Sequence, residues 1–374
     1  MYNIVMLGKI KILATAILVG VAVALTYYIF EAGVSHGISF IWEDLFDTEH
    51  KRLLVVPICI VLTLVFFGLQ HYLDPKSETH ESHGLGEDQA KPKLSKFFTI
   101  LTIGFFSLVA GASLGPEAVL VPACMVAGGI IGSKLLATES KAPQIVSAAA
   151  IIALFAAFFH SFWVGLLTIF LVKKVAKADI STQLILLAIL SSGASTVTLN
   201  IIDPANAQYF KFPTISWNII LVDIIFAIGV FILGYLSTFG LKHTHQYILK
   251  VVDILHIKLW WHHALLAGIG LSFIYILGGP LVQFTGNESI KPLLNDAKTL
   301  GIVGVLWIFV AKLLAIAWSK AVGYRGGLIF PMIFIASTFA TMATLFNSKT
   351  NFMLVLIAGV IGIILADKKA KILF

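Results

Sequence analysis

Two stretches of the chain hold residue types at a spacing that can do chemistry: Gly115-Pro116-Glu117, and Gly326-Gly327-Leu328-Ile329-Phe330-Pro331. In the first, glycine lets the backbone approach another group closely, and proline fits the first turn of a helix, where its missing N–H is not needed. A helix opening near Pro116 aims its free N–H groups and the positive end of its dipole back at Gly115. Such an end receives anions. Glu117 stands in that first turn, amid some of the most apolar sequence of the chain. Its carboxylate can occupy the anion position itself, and protonation or a competing anion can displace it. The plainer role for Glu117 is a first-turn acid that only complements the dipole. The second stretch repeats the physics without a charge. Gly326 and Gly327 free the backbone, and Leu328 and Ile329 present N–H groups before Phe330-Pro331 continues the helix. Two helix N-termini meeting inside a membrane replace part of an anion's hydration shell without a buried cation. Binding of that kind stays weak enough for the ion to leave.

The rest of the sequence says what surrounds these motifs. Apolar residues make up 59% of the 374 positions and charged residues only 12%, with a mean hydropathy of +0.96. A soluble domain carries roughly 25% charged residues, so lipid must be the solvent for much of this chain. The formal charge of +7 does not indicate nucleic acid. Lysines sit in connectors between apolar runs (Lys242, Lys250 and Lys258, or Lys368, Lys369 and Lys371), and no basic stripe interleaved with aromatics is present. Cys59 and Cys124 both lie in apolar runs and give no disulfide framework. The run at 12–30, after Lys9 and Lys11, is long enough to span a bilayer and reads as a first membrane helix, not a cleaved leader. The next connector holds Glu31, Glu43, Asp44, Asp47 and Glu49, while the one after it carries Lys76, Lys91, Lys93 and Lys96. Lysine counting therefore puts the N-terminus and the second connector in the cytoplasm.

Apolar runs recur at 12–30, 53–73, 97–112, 118–136, 144–157, 161–175 and 182–200. After breaks at Asp203-Pro204 and Phe212-Pro213 they resume at 217–240, 261–279, 299–321, 328–345 and 352–366, with an amphipathic, interface-lying segment at 241–260. Several runs are too short to cross roughly 30 Å of hydrocarbon at about 1.5 Å per residue. Short, interrupted helices survive only where protein or a water-filled cavity covers their ends. The expected fold is an all-α polytopic membrane protein, one membrane domain over 1–374. It is expected to contain two repeats, 10–200 and 217–374, because each interrupted motif falls about a hundred residues into its block, as at transporter binding sites. The second block ends sooner after its motif than the first, where the repeat leads one to expect two or three further short helices.

These motifs resemble those of the chloride channel and chloride/proton exchanger family. Gly115-Pro116-Glu117-Ala118-Val119 is similar to its Gly-Arg-Glu-Gly-Pro motif, in a bacterial branch that reads Ser-Leu-Gly-Pro-Glu. Gly327-Leu328-Ile329-Phe330-Pro331 is similar to its Gly-x-Phe-x-Pro motif with the aromatic shifted by one. Lys312 matches a family position usually Lys or Arg. The resemblance implies an inverted repeat of short, tilted and interrupted helices and a homodimer with one pathway per subunit, placed in the inner (plasma) membrane of a bacterium. Glu117 would be the gating glutamate. Gly115, Pro116, Ala118, Gly327, Leu328, Ile329 and Phe330 would line the anion, with Leu328 and Ile329 lending amides. Chloride or a similar small anion is the implied cargo, with protons a second candidate; no cofactor and no metal is expected. The sequence departs from the family pattern in two places. Where an early Gly-Ser-Gly-x-Pro motif is due, only Ser82-His83-Gly84-Leu85-Gly86 stands, making His83 and Gly84 the candidates there. Exchangers carry an inner carboxylate that would fall near Val172, and Leu166 to Val172 contains none. Channel-like anion passage is the leading expectation; an antiporter with a non-standard proton route is the alternative.

A rival of another class lies in the same residues. Gly111-Ala112-Ser113-Leu114-Gly115 fits the Gly-x-Ser-x-Gly nucleophile pattern, and His160 would serve as base in an intramembrane serine hydrolase. That chemistry needs a strand–turn–helix, whereas helical runs flank the motif, so a non-enzyme is expected. His243, His245, His262 and His263 have no Cys or carboxylate to complete a metal set, and Trp260 and Trp261 read as interface anchors. Mid-membrane His160 suits a helix–helix hydrogen bond better than a proton carrier. Arg325 either snorkels or tunes the field of the pathway.

Overall fold

A computed structural model describes residues 2–44, 51–75, 93–136, 141–170, 172, 180–204, 221–255 and 259–373. His83, Gly84 and the Phe212-Pro213 break lie outside the described residues. Among those described there is no named strand. The helices are α1 (Tyr2–Ile38), α2 (Lys51–Leu73), α3 (Leu94–Val109), α4 (Glu117–Leu135), α5 (Ala142–Phe158), α6 (Phe162–Leu167), α7 (Thr182–Ile202), α8 (Leu221–Ile254), α9 (Trp260–Gly278), α10 (Ile290–Asn295), α11 (Ala297–Ala321), α12 (Ile329–Phe346) and α13 (Phe352–Ala370). Eight helices among the described residues are long and apolar enough to cross a membrane. The protein is an all-α integral membrane protein, as its composition predicts.

The chain forms two compact units that interleave along the sequence. One comprises Met1–Ser35, Leu73–Phe105 and Val119–Tyr209; the other comprises His36–Tyr72, Phe106–Ala118 and Phe210–Phe374. In the first unit, small residues let helices approach. Gly20 of α1 faces the backbone of Ser191 and Ser195 on α7, and a Cβ there would overlap it. Ser191 and Ser195 donate to the carbonyls of Ala149 and Ala153 on α5 (3.4 and 3.1 Å). Both partners advance by four residues, so α5 and α7 run parallel. Gly128 and Gly132 of α4 meet Val146 and Ala142 in descending order, so α4 runs antiparallel to α5. In the second unit, Gly234 of α8 lies against the backbone of Gly359 on α13, and Gly362 against that of Phe231. Glycine at such crossings lets two backbones meet without side chains between them.

One expectation needs correction. The segment 241–254 is not a separate interfacial helix but the continuation of α8, which runs unbroken for 34 residues. No proline or capping residue follows Gly240, so nothing ends the helix there. At about 1.5 Å per residue it is about 51 Å long, more than a bilayer core requires. The run at 161–175 starts with a helix of only six residues, α6, capped by the Ser161 hydroxyl.

Candidate functional site

The two sequence motifs meet in the second unit. Each is reached through a helix that ends in the same way. At the end of α3, Ala112 N–H donates to Ser107 O (3.3 Å) and Gly111 N–H to Leu108 O (3.0 Å), with Gly111 at φ +101. At the end of α11, Tyr324 N–H donates to Ser319 O (3.0 Å) and Gly323 N–H to Lys320 O (3.3 Å), with Gly323 at φ +88. Both are Schellman closures, which need a residue in left-handed backbone and take glycine at least cost. The chain then extends to a second glycine in each arm. Gly115 N–H donates to Gly327 O (2.8 Å) and Gly327 N–H to Gly115 O (2.7 Å), a reciprocal antiparallel bridge. The pairing continues through serines: Ser113 N–H donates to Ser319 Oγ (3.1 Å), and Arg325 N–H to Ser107 Oγ (2.7 Å). Every partner in one arm is matched in the other by a residue 212 positions later, so the two arms are related by a local twofold. The sequence carried a signal for this, Ser-x3-Gly-x3-Gly at Ser107-Gly111-Gly115 and again at Ser319-Gly323-Gly327. Spacing between the motifs alone did not reveal Ser107 and Ser319.

The bridge places two helix N-termini at one spot, because α4 starts at Glu117 and α12 at Ile329. Glu117 is buried, and its Oε1 accepts from Ile329 N–H at 2.6 Å and Phe330 N–H at 3.4 Å. Ile329, one of the two residues expected to lend amides to the anion, is joined by Phe330 and not by Leu328 in holding the carboxylate. The reason is that Leu328 is the residue before the helix (φ −110, ψ −9), so the first free amides aimed along the α12 axis belong to Ile329 and Phe330. The carboxylate lies over Gly115 and Gly327: a Cβ on Gly115 would overlap Glu117 Oε2, and one on Gly327 would overlap Cδ and Oε1. Glycine at both places is therefore a space requirement. Glu117 Oε2 is buried and has no hydrogen-bond partner. A proton can be added there without breaking an existing bond.

Around the arms stands a polar frame the motifs did not disclose. Tyr275 O–H donates to Gly111 O and accepts from Phe284 N–H (3.1 Å). Thr285 Oγ1 donates to Leu114 O (2.9 Å), so the Leu114–Gly115 peptide is held at both its oxygen and its nitrogen. Lys312 is fully buried, and its ammonium donates to Val282 O (3.1 Å), Gln283 O (3.4 Å) and Phe284 O (2.5 Å). An ammonium has three N–H donors, and three carbonyls take them. Lys312 thus pins the loop that carries Thr285, in which Phe284 adopts φ +53 and Gly286 φ +92. Arg325 is buried and does not snorkel. Pro116 precedes the first turn of α4, Ala118 lies half-buried within it, and the side chains of Leu328 and Phe330 are buried.

Nothing supports the hydrolase: Ser113 sits in a turn between α3 and α4, and among the described residues no strand leads into it. His160 belongs to the other compact unit. Among the described residues no group of three His, Cys, Asp or Glu side chains is set to hold a metal ion.

Comparison with known proteins agrees with this architecture. A stretch of 81 residues is 36% identical to an ion-transport protein, YfeO, of Salmonella typhimurium, and equally so to that of Salmonella enteritidis. The matched stretch is 21% of this chain and only 20% of the relative. The fold is that of a slow cyanobacterial Cl−/H+ antiporter (TM-score 0.72, 16% identity, 96% of this chain and 95% of that one). A eukaryotic CLC transporter shares it (TM-score 0.66, 14% identity, 97% and 72%), as does a CLC-type fluoride/proton antiporter (TM-score 0.64, 13% identity, 96% and 94%). Residues 82–366, which include both arms, match the family described as voltage gated chloride channel. The chain belongs to the voltage-gated chloride channel family.

Proposed function

We propose that this protein passes chloride-type anions across a membrane, with the Glu117 carboxylate as the gate and only weak coupling to protons. One observation carries the reading: Glu117 Oε1 occupies the amides of Ile329 and Phe330 at the N-terminus of an 18-residue helix. A carboxylate there is a built-in stand-in for the transported anion, held by the same amides and the same dipole end. When the carboxylate leaves, the amides face an incoming anion. Protonation at Oε2 weakens Oε1 as an acceptor and releases it. Weak proton coupling is supported by Val172, a buried apolar residue at the place where exchangers of the family carry a carboxylate. The local twofold of the arms supports an inverted repeat, and the family resemblance supports a homodimer with one pathway in each subunit.

The test is flux from liposomes holding the purified protein, with reversal potentials measured under opposing chloride and proton gradients. The expected reversal potential follows the chloride gradient and moves little with the proton gradient. A fixed ratio of chloride moved against protons overturns weak coupling and demands an inner proton site that Val172 cannot provide. No anion flux at all overturns the reading of the site.

A further inference from the structure

Three helices of the first unit run parallel, and two of them, α5 and α7, end at one level that α1 passes. Ser191 and Ser195 of α7 bond to Ala149 and Ala153 of α5, an offset of 42 that brings Asp203, just past α7, level with Ser161 and His160, just past α5. Gly20 packs α1 against the same level of α7, and seven residues later Tyr27 meets Phe158 edge-on, with ring centroids 5.5 Å apart. One helical turn beyond Tyr27 lies Glu31. Asp203 is close enough to interact electrostatically with both Tyr27 and His160, and Glu31 with Tyr27. The opposite side of these helices is basic: Lys11 lies on α1 before Gly20, Lys141 precedes α5, and Lys134 stands in the last turn of the antiparallel α4. Ends rich in lysine face the cytoplasm. The group of Tyr27, Glu31, His160 and Asp203 therefore faces the other side.

His160 itself is held in an unusual way. Ser161 N–H donates to Ala156 O (3.0 Å) and His160 N–H to Ala157 O (3.1 Å), the same closure that ends α3 and α11. At those two ends the left-handed residue is glycine; here it is His160, at φ +47. Histidine takes this backbone more readily than most residues, but glycine takes it freely. Strain kept at one residue points to a use for its side chain. His160 Nε2 is buried and has no hydrogen-bond partner. No set of His and carboxylates here is arranged to hold a metal ion, which leaves the proton as the ligand this chemistry fits.

We infer that His160 and Asp203, beside Tyr27 and Glu31 of α1, form a second proton-binding site at the non-cytoplasmic end of α5 and α7. Nε2 takes a proton through its lone pair, and the Asp203 carboxylate holds the resulting imidazolium, while Glu31 acts on the neighbouring Tyr27. Tyr28, next to Tyr27 on α1, is a further titratable side chain at this level.

The inference stands apart from the gate at Glu117 and is tested apart from it. Histidine-labelled protein in lipid nanodiscs is followed by ring nitrogen NMR from pH 4 to 8, with His160→Gly used to identify the His160 signal. The expected signal titrates within this range. Its midpoint moves by roughly half a pH unit or more in Asp203→Asn, as loss of a nearby charge requires, and stays in place in Glu117→Gln. His160→Gly relieves the backbone, so the variant folds and its thermal midpoint does not fall. A His160 signal that does not titrate, or a midpoint indifferent to Asp203→Asn, overturns the site. A marked loss of thermal stability in His160→Gly makes the imidazole a structural group and overturns it as well.

Discussion

Ser107 through Glu117 and Ser319 through Ile329 leave their helices by the same closure, pair through the same backbone atoms and exchange the same serine bonds, yet they carry opposite chemistry. The first arm ends in a carboxylate; the second ends in bare amides and carries Lys320 and Arg325 where the first has Leu108 and Ser113. Their surroundings differ too. A Cβ on Gly111 would press on Trp42 at 3.1 Å, whereas one on Gly323 would find only Phe67, at 4.0 Å. The first arm is wedged by Trp42, Tyr275 and Thr285. The second is braced chiefly at Tyr324, which shares a 2.5 Å hydrogen bond with Thr63 and stacks on Phe66. The difference teaches how a symmetric frame performs an asymmetric task. Backbone pairing fixes where the two helix ends meet, and the side chains decide that one arm supplies the gate and the other receives it.

The harshest way to break this comparison is to fill the receiving arm. Gly327→Val puts a branched side chain where the Glu117 carboxylate lies, next to the bridge. Calorimetric chloride binding should fall by at least about tenfold, corresponding to about 1.4 kcal/mol, with flux lost alongside it. Unchanged binding would place the anion elsewhere. Removing the charge from the supplying arm comes next. Glu117→Gln nearly keeps the shape but is a poorer acceptor for Ile329 N–H. Wild-type flux should rise as pH falls, because protonation releases the carboxylate; the variant should be open and largely independent of pH. If Glu117 only complements its helix dipole, the change costs about 0.3–1 kcal/mol of stability and leaves the pH profile as it was. Flux against pH for both proteins separates the two.

A subtler intervention unlatches the wedge on the first arm. Lys312→Met leaves three carbonyls without their donor, one in a fully buried and two in part-buried hydrogen bonds, at a cost of up to roughly 1–3 kcal/mol for a buried group not reached by another. A lower thermal midpoint is expected, together with weaker chloride binding at little change in the pH profile, because the loop reaches the site only through Thr285 and Leu114. Lys312→Arg should recover part of both. A thermal midpoint equal to wild type would mean the loop holds without its latch.

How much of this was legible beforehand depended on whether a signal was local. Gly115-Pro116-Glu117 and Gly327 to Pro331 could be read because a helix start is encoded within a few residues. The membrane setting could be read because composition is a sum over the whole chain. That Phe330 joins Ile329 in holding the carboxylate was not, since it depends on where the first helical turn closes. Neither Thr285 on Leu114 nor Lys312 on the 282–284 carbonyls leaves a periodic trace, because each joins segments far apart in sequence. The unbroken α8 was missed for the opposite reason. Polar residues from Lys242 onward looked like an end, but a change of polarity does not stop a helix when backbone and caps allow it to continue.

The smallest effects test the twofold itself. Ser107→Ala removes the acceptor of Arg325 N–H, and Ser319→Ala removes the acceptor of Ser113 N–H. Both hydroxyls are fully buried, so each change strands one backbone donor, at about 1–3 kcal/mol. If the arms share one frame, the two losses should agree within about 0.5 kcal/mol. The double variant should lose less than their sum, because the residues of one paired unit do not act independently. The functional consequences should nevertheless differ. Arg325 lies two residues before Gly327, on the arm that receives the carboxylate, so Ser107→Ala should loosen the amides that hold Glu117. Ser113 precedes the peptide that Thr285 already clamps, so Ser319→Ala should leave the seat nearly unchanged. Unfolding in a mild detergent measures the first comparison, and chloride affinity the second. Equal stability losses with a larger affinity loss in Ser107→Ala would support a symmetric frame with an asymmetric load. Unequal stability losses would mean that the matching bonds at an offset of 212 are alike in geometry but not in the work they do.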